Sequence, residues 1–146
     1  MQLRTTRFGA LDIEPEDILH FPSGVLGLES CRHWVLLADA QNEALGWLQS
    51  TSRWEVAMAV VSPRRFVPDY QFRVYRSELA PLELVRFQDA QVLVIVGHNE
   101  HSITLNLQAP VVINLERRLG RQVVANGEHP LQYELASKPA VWKKSA

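Results

Sequence analysis

In residues 102–114, SITLNLQAPVVIN, apolar and polar side chains alternate. Ile103, Leu105, Leu107, Ala109, Val111 and Ile113 share one parity. Ser102, Thr104, Asn106, Gln108, Pro110 and Asn114 share the other, and Val112 is the exception. Period two predicts a half-buried β-strand with Leu105, Leu107, Val111 and Ile113 inward and Ser102 and Thr104 in water. Pro110 donates no ladder hydrogen bond, so this strand is expected at a sheet edge or bulged there. Its polar face is unusually rich in amides.

The same patterning, broken by turn residues, predicts further strands at Gln2–Arg7 (closed by Gly9), Ile18–Phe21, His33–Ala38, Leu45–Gln49, Glu55–Ser62 and Gln91–Gly97. Tyr70–Tyr75 reads as extended, and Ser77–Val85 as a short helix despite Pro81. LERRLG suggests one helical turn ended by Gly120. Asn126-Gly127 suggests a two-residue hairpin joining RQVVA to EHPLQYEL. About nine short strands with one or two helical turns and no long amphipathic helix point to a mainly all-β fold, a small antiparallel barrel or sandwich. The expected organisation is one domain over 1–136, followed by a frayed tail, 137–146, with Trp142 either docked or available.

Composition narrows the function classes. The chain has 146 residues, 47% hydrophobic and 21% charged, which suffices for a core without staples. A net charge of −1 supplies no strong field for nucleic acid or acidic membranes. The apolar run Val56–Val61 is too short to cross a bilayer. The N-terminal MQLRTTRFG lacks the apolar segment of a signal peptide. Cys31 is the lone cysteine, so a cytosolic setting fits best.

Candidate chemistry is sparse. His98-Asn99-Glu100-His101 is the best metal candidate, yet a stable site needs three or four ligands and no cysteine is close in sequence. An exposed polar turn outweighs it. Ser23 lacks the flanking glycines of a nucleophile elbow. Cys31 has His33 two residues on, with no orienting carboxylate in evidence. Glu14, Glu16 and Asp17 read as solvated turn residues. Arg64-Arg65-Phe66, and Arg117-Arg118 with Arg121, are the only basic clusters, so an RNA-binding small barrel is the alternative reading rather than the first. These observations predict no enzyme, no metal and no cofactor.

The motifs carry the argument further. TLNLQAPVVIN followed by LGRQVV resembles the signature of the flagellar assembly factor FliW family, an asparagine-leucine-x-alanine-proline core leading to an asparagine and a short basic turn. RFGALDIEPEDILHFPSGVLGLE, LGWLQST at 45–51 and VAMAVVSPRRFVPDYQF follow the family's pattern in order, so the resemblance spans residues 1 to about 135. Leu28 departs from it where phenylalanine is common, and Val25-Leu26 lacks the proline.

The resemblance implies a non-enzymatic barrel-like protein that binds the translational regulator CsrA, relieving repression of flagellin mRNA. It also implies that flagellin binds the same protein and so restores repression. A monomer without direct nucleic-acid or membrane contact is expected. Asn106 and Gln108, in mid-strand, are expected together with Pro110 to face a partner. Asn114 is expected to serve the following turn or that contact. Asp69 is a turn former, Tyr70 a core or rim aromatic, and Gln49 is similar; all are included in the candidate contact.

Overall fold

The computed structural model describes residues 1–135. Its strands are β1 (Gln2–Thr5), β2 (Gly9–Asp12), β3 (Ile18–His20), β4 (His33–Ala38), β5 (Leu45–Ser50), β6 (Ala57–Val61), β7 (Gln91–His98), β8 (Ile103–Leu105), β9 (Val111–Asn114), β10 (Leu119–Gln122) and β11 (Tyr133–Glu134). A single α-helical turn, α1 (Arg76–Leu79), lies between β6 and β7. The tail expected at 137–146, with Trp142, lies outside the described residues.

Seven strands close into a barrel in the order β3-β4-β5-β6-β7-β9-β10 and back to β3. Antiparallel pairing runs throughout except at one seam, where β10 meets β3 in parallel through Leu119 and His20. The expected antiparallel barrel is therefore present with one parallel closure. β7 is long enough to serve two sheets. Gln91–Leu93 pairs with β9 and Val94–Ile95 with β6, while Val96–His98 pairs with β8, which carries β11 on its far side. β1 and β2 form a separate hairpin, Gln2–Asp12, that docks Leu3 on Val35 together with Ile13.

The barrel core gathers Leu19, Phe21, Val25, Trp34, Leu48, Val60, Leu93, Val111 and Ile113. Trp34 is fully buried, and its indole Nε1 donates to the Cys31 carbonyl at 2.9 Å, so the ring contributes area without an orphaned donor. A second cluster, Val61, Tyr70, Val94, Leu105 and Leu107, fills the space under the β7–β8 arm. A third, Leu82, Val112 and Val123, lies beneath the segment that carries α1.

That third cluster explains why Val112 breaks the alternation. β9 is covered on both faces, Val111 and Ile113 by the barrel and Val112 by Leu82, and all four of its residues are buried. Doubly covered strands lose the alternation of a half-wet one. The single strand expected over 102–114 is consequently two short ones, β8 and β9, and β9 is interior, paired with both β7 and β10, rather than at an edge. Pro110 is buried immediately before β9, outside any ladder. Thr104 is 4% exposed and Ile103 51%, the reverse of the expected phase at that end. Leu105, Leu107, Val111 and Ile113 are buried as the pattern predicts.

Other differences have local causes. Leu115–Arg118 is the β9–β10 turn, not a helical one, and Gly120 lies within β10. Asn126-Gly127 bends the chain without forming a hairpin. β10 is already paired on both sides, by β9 and β3, so the following segment adds to β8 as β11 instead. Gly9–Asp12, which lacks clean alternation, is a strand because β1 supplies its ladder. Tyr70–Tyr75 enters no ladder at all, and the helix expected over Ser77–Val85 is α1 followed by a 3-10 turn at Ala80–Leu82 that takes in Pro81.

Candidate partner-binding surface

The amide side chains of the opening stretch are turned inward. Asn106 Oδ1 accepts from the backbone amides of Gln108 and Ala109, each at 3.1 Å, closing a turn that its own side chain defines. Gln108 Nε2 donates to the carbonyls of Ala125 at 2.8 Å and Gly127 at 3.2 Å, and its Oε1 accepts from the His129 amide at 2.9 Å. Asn114 Nδ2 donates to the Leu82 carbonyl at 2.8 Å, and its Oδ1 accepts from the Arg117 amide. Asn106 therefore binds backbone of its own turn, and Gln108 and Asn114 reach neighbouring loops of the same chain. The expected mid-strand position of Asn106 and Gln108 is corrected: they sit in the turn between β8 and β9.

Gln49 is fully buried, with Nε2 donating to the Ser50 and Trp54 carbonyls. Tyr70 is a core residue. Its hydroxyl donates to the Leu107 carbonyl at 2.7 Å, its ring stacks on Phe72 with centroids 5.8 Å apart, and burial pushes the phenol up to about 12. Burial takes Gln49, Tyr70, Pro110 and Asn114 away from any solvent-facing contact. Of the seven candidates, Asp69 is the one that stands exposed, next to Tyr70 at the start of the β6–β7 excursion.

The catalytic candidates do not assemble. Cys31 is buried while His33 points outward and stacks on His20, with centroids 4.8 Å apart. Asn99 Oδ1 accepts from the amides of His101 and Ser102, so the HNEH tip is a side-chain-closed turn. Among the described residues no group of three or more His, Cys, Asp or Glu comes together to hold a metal. No helix among them is long and apolar enough to cross a membrane.

What the structure does present is the outer face of the excursion between β6 and β7. Tyr70 anchors its start and Leu82, buried, its middle, the latter held further by Asn114. Around these anchors, at Tyr75 between them and at Val85 and Phe87 beyond Leu82, the chain leaves apolar side chains in water: Tyr75 is 70% exposed, Val85 87%, and Phe87 half-exposed. Phe87 stands as a ridge between two open grooves. One, of about 530 Å³, is lined by Phe72, Phe87, Val92 and Pro63 with Gln71, Gln88 and Arg64 among its polar groups. The other, of about 570 Å³, is lined by Val74, Leu79, Leu84, Val85 and Phe87 with Arg76 and Glu83. Contiguous exposed apolar surface with a polar rim is what a protein partner covers. The sequence signal for it was the apolar Val85 and Phe87 flanking Arg86 in a connection with no strand of its own.

A family model described as FliW protein matches residues 2–135. This chain belongs to the FliW family. It is 33% identical over 141 residues to a flagellar assembly factor FliW of Desulfitobacterium hafniense, covering 94% of this chain and 93% of the relative. It is 36% identical over 130 residues to one of Geotalea uraniireducens, covering 88% and 79%. A solved structure described as the crystal structure of the flagellar assembly factor FliW superposes with a TM-score of 0.87 at 27% identity, covering 96% of this chain and all of that one. The family is thus one of flagellar assembly factors rather than a known family of enzymes, and the mainly β barrel is the family's fold.

Proposed function

We propose that this chain acts in flagellar assembly as a non-catalytic, cytoplasmic, monomeric partner switch. It binds the translational regulator CsrA and so relieves repression of flagellin mRNA, and it binds flagellin, which opposes that effect. The observation that carries the reading is the unpartnered apolar ridge of Val85 and Phe87 on a barrel whose family is one of flagellar assembly factors. A surface of this kind suits protein docking, and among the described residues no cluster of potential metal ligands competes for the role.

The RNA-binding alternative has less support. Arg53, Arg65, Arg86, Arg117 and Arg121 each lie within 4.0 Å of a carboxylate of the same chain. Of the basic clusters read from the sequence, Arg65, Arg117 and Arg121 are paired in this way while Arg64 and Arg118 donate to the Tyr70 and Asp17 carbonyls, and phosphate binding depends on free cationic groups.

If the two partners oppose one another, linkage requires each to weaken the other by the same factor, and a useful switch needs about 1–3 kcal/mol of coupling, roughly 5–150-fold. Calorimetric titration of CsrA into the free protein and into its flagellin complex tests this. Weaker CsrA binding in the flagellin complex is expected. Equal CsrA affinity in both titrations removes the switch.

A further inference from the structure

Gln71–Tyr75 has the exposure pattern of a strand without a partner. Gln71, Arg73 and Tyr75 are exposed while Phe72 and Val74 are half-buried, and Tyr75 itself has extended backbone angles, φ −66° and ψ 146°. Among the described residues, the backbone amides of Gln71 through Tyr75 donate to no acceptor, and the segment's single hydrogen bond to a neighbouring stretch of chain is the Asn126 amide donating to the Arg73 carbonyl at 2.7 Å. Backbone N–H groups left in this condition are the template for strand addition. The two grooves described above flank the segment, since Phe72 lines one and Val74 the other.

Charge specifies the occupant. Arg73 and Arg76 bracket Tyr75, and among the described residues neither has a carboxylate within 4.0 Å. Glu83, the carboxylate at the second groove, is already paired with Arg117 at 3.6 Å. Arg73 and Arg76 therefore present cationic charge that no carboxylate among the described residues pairs.

We propose that Gln71–Tyr75 is a docking strand for an extended partner segment in which acidic and apolar side chains alternate. The backbone of that segment pairs with the free amides. Its apolar side chains enter the grooves beside Phe72 and Phe87 and beside Val74 and Val85, and its carboxylates meet Arg73 and Arg76. The partner pairing gives affinity through main-chain hydrogen bonds and selectivity through alternate side chains. The identity of the partner rests on the CsrA and flagellin reading above; the surface itself does not.

The test is hydrogen–deuterium exchange on the full chain, alone and with CsrA, with flagellin, and with a synthetic peptide alternating Glu and Val. Amides of Gln71–Tyr75 are expected to exchange at least tenfold more slowly in the complex with one of the two proteins. The double charge reversal Arg73→Glu/Arg76→Glu should weaken that complex at least tenfold while leaving the unfolding midpoint unchanged, both side chains being exposed. A complex in which Gln71–Tyr75 exchanges as in the free protein overturns the proposal. So does affinity that falls on Val85→Glu but is indifferent to the charge reversal, which would indicate a helix or a purely apolar occupant. Protection that appears with protein concentration alone would assign the strand to a second copy of this chain and also overturn it. Should neither CsrA nor flagellin bind, the partner reading fails. The peptide then decides the surface: protection of Gln71–Tyr75 by the Glu–Val peptide and not by a Lys–Val peptide upholds it, and none overturns it.

Discussion

The ring of Phe21 lies against the α-carbon of Gly120, in the space that a Cβ at position 120 would need. The two residues face each other across the β3–β10 seam, where a single parallel pair closes the barrel. Packing here compensates for a short ladder, and only glycine allows the approach. Gly120→Ala should cost about 1–3 kcal/mol through overpacking. Phe21→Leu in the same chain should recover part of that loss, so the double variant should be more stable than the sum of the singles, with coupling of about 0.5–3 kcal/mol. Urea unfolding of the four proteins measures it, and strict additivity would mean the ring does not abut residue 120.

Gln108 joins three points of the 125–129 loop to the turn after β8, and Asn106 shapes that turn. Gln108→Ala leaves backbone groups without their partner and should cost about 1–3 kcal/mol. Asn106→Ala should cost about 0.5–2 kcal/mol, by analogy with the loss of a side-chain cap. Both variants should retain partner affinity when assayed well below their unfolding midpoints. A double variant of full stability but lost partner binding would return these amides to the contact surface.

The sequence made strands legible where one face meets the core and the other meets water, as in β1, where Leu3 and Thr5 are buried while Gln2 and Arg4 are exposed. It was least legible where the covering element is remote in sequence. Val112 looks like an interruption of an alternating strand, and Asn114 like a wet polar position, until Leu82, some thirty positions earlier, is laid across them. Amides that serve distant loops, as Gln108 does, have the same sequence appearance as amides facing a partner. The exposed apolar face is hard to read in sequence for the converse reason: Val85 and Phe87 in an irregular connection have no period to reveal them.

The β7–β8 arm gives a direct check on the corrected phase. Thr104 is packed away and Ile103 stands half in water. Ile103→Ala should therefore cost less than about 1 kcal/mol, as at other surface positions. Leu105→Ala, fully buried, should cost about 2–5 kcal/mol. Thermal or urea unfolding distinguishes the two. Comparable losses at both positions would mean that Ile103 is covered in solution.

Tyr70 makes stability depend on alkaline pH. Burial favours the neutral phenol, so its folded value is pushed up from 10.0 to about 12. Below pH 10 the group is protonated in both folded and unfolded chains and has no effect. As pH rises from 10 toward 12 the unfolded chain releases a proton that the folded chain keeps, and stability falls, by up to about 1.4 kcal/mol per pH unit. Tyr70→Phe removes this dependence and leaves the Leu107 carbonyl without its donor, at a cost of about 1–3 kcal/mol near neutral pH. Urea midpoints of the two proteins at pH 8 and pH 11 should converge. A gap that stays constant would show that Tyr70 titrates normally.

Asp39 and Trp47 hold the tip of the N-terminal hairpin to the barrel. Trp47 Nε1 donates to Asp39 Oδ1 at 2.9 Å, and the amides of Gln41 and Asn42 donate to Oδ2 at 3.1 and 3.0 Å. Over the same indole ring lie the Arg7 guanidinium, 4.3 Å from the centroid, and the edge-on ring of Phe8, both from the β1–β2 turn. The Trp47 hydrogen bond, followed by the Gln41 amide, holds the Asp39 carboxyl below its usual range. A depressed folded value means that this contribution to stability is present above the ordinary aspartate range and is lost as pH falls through the folded value. Trp47→Phe keeps a ring for Arg7 and Phe8 but deletes the donor, so the Asp39 midpoint, followed by carboxyl NMR, should rise toward the ordinary value. Trp47→Ala removes the ring as well and should accelerate amide exchange in Gln2–Asp12 while leaving β5–β7 protected. An Asp39 midpoint indifferent to Trp47→Phe would assign the depression to the loop amides, and unchanged exchange in Trp47→Ala would show that Leu3 and Ile13 suffice to dock the hairpin.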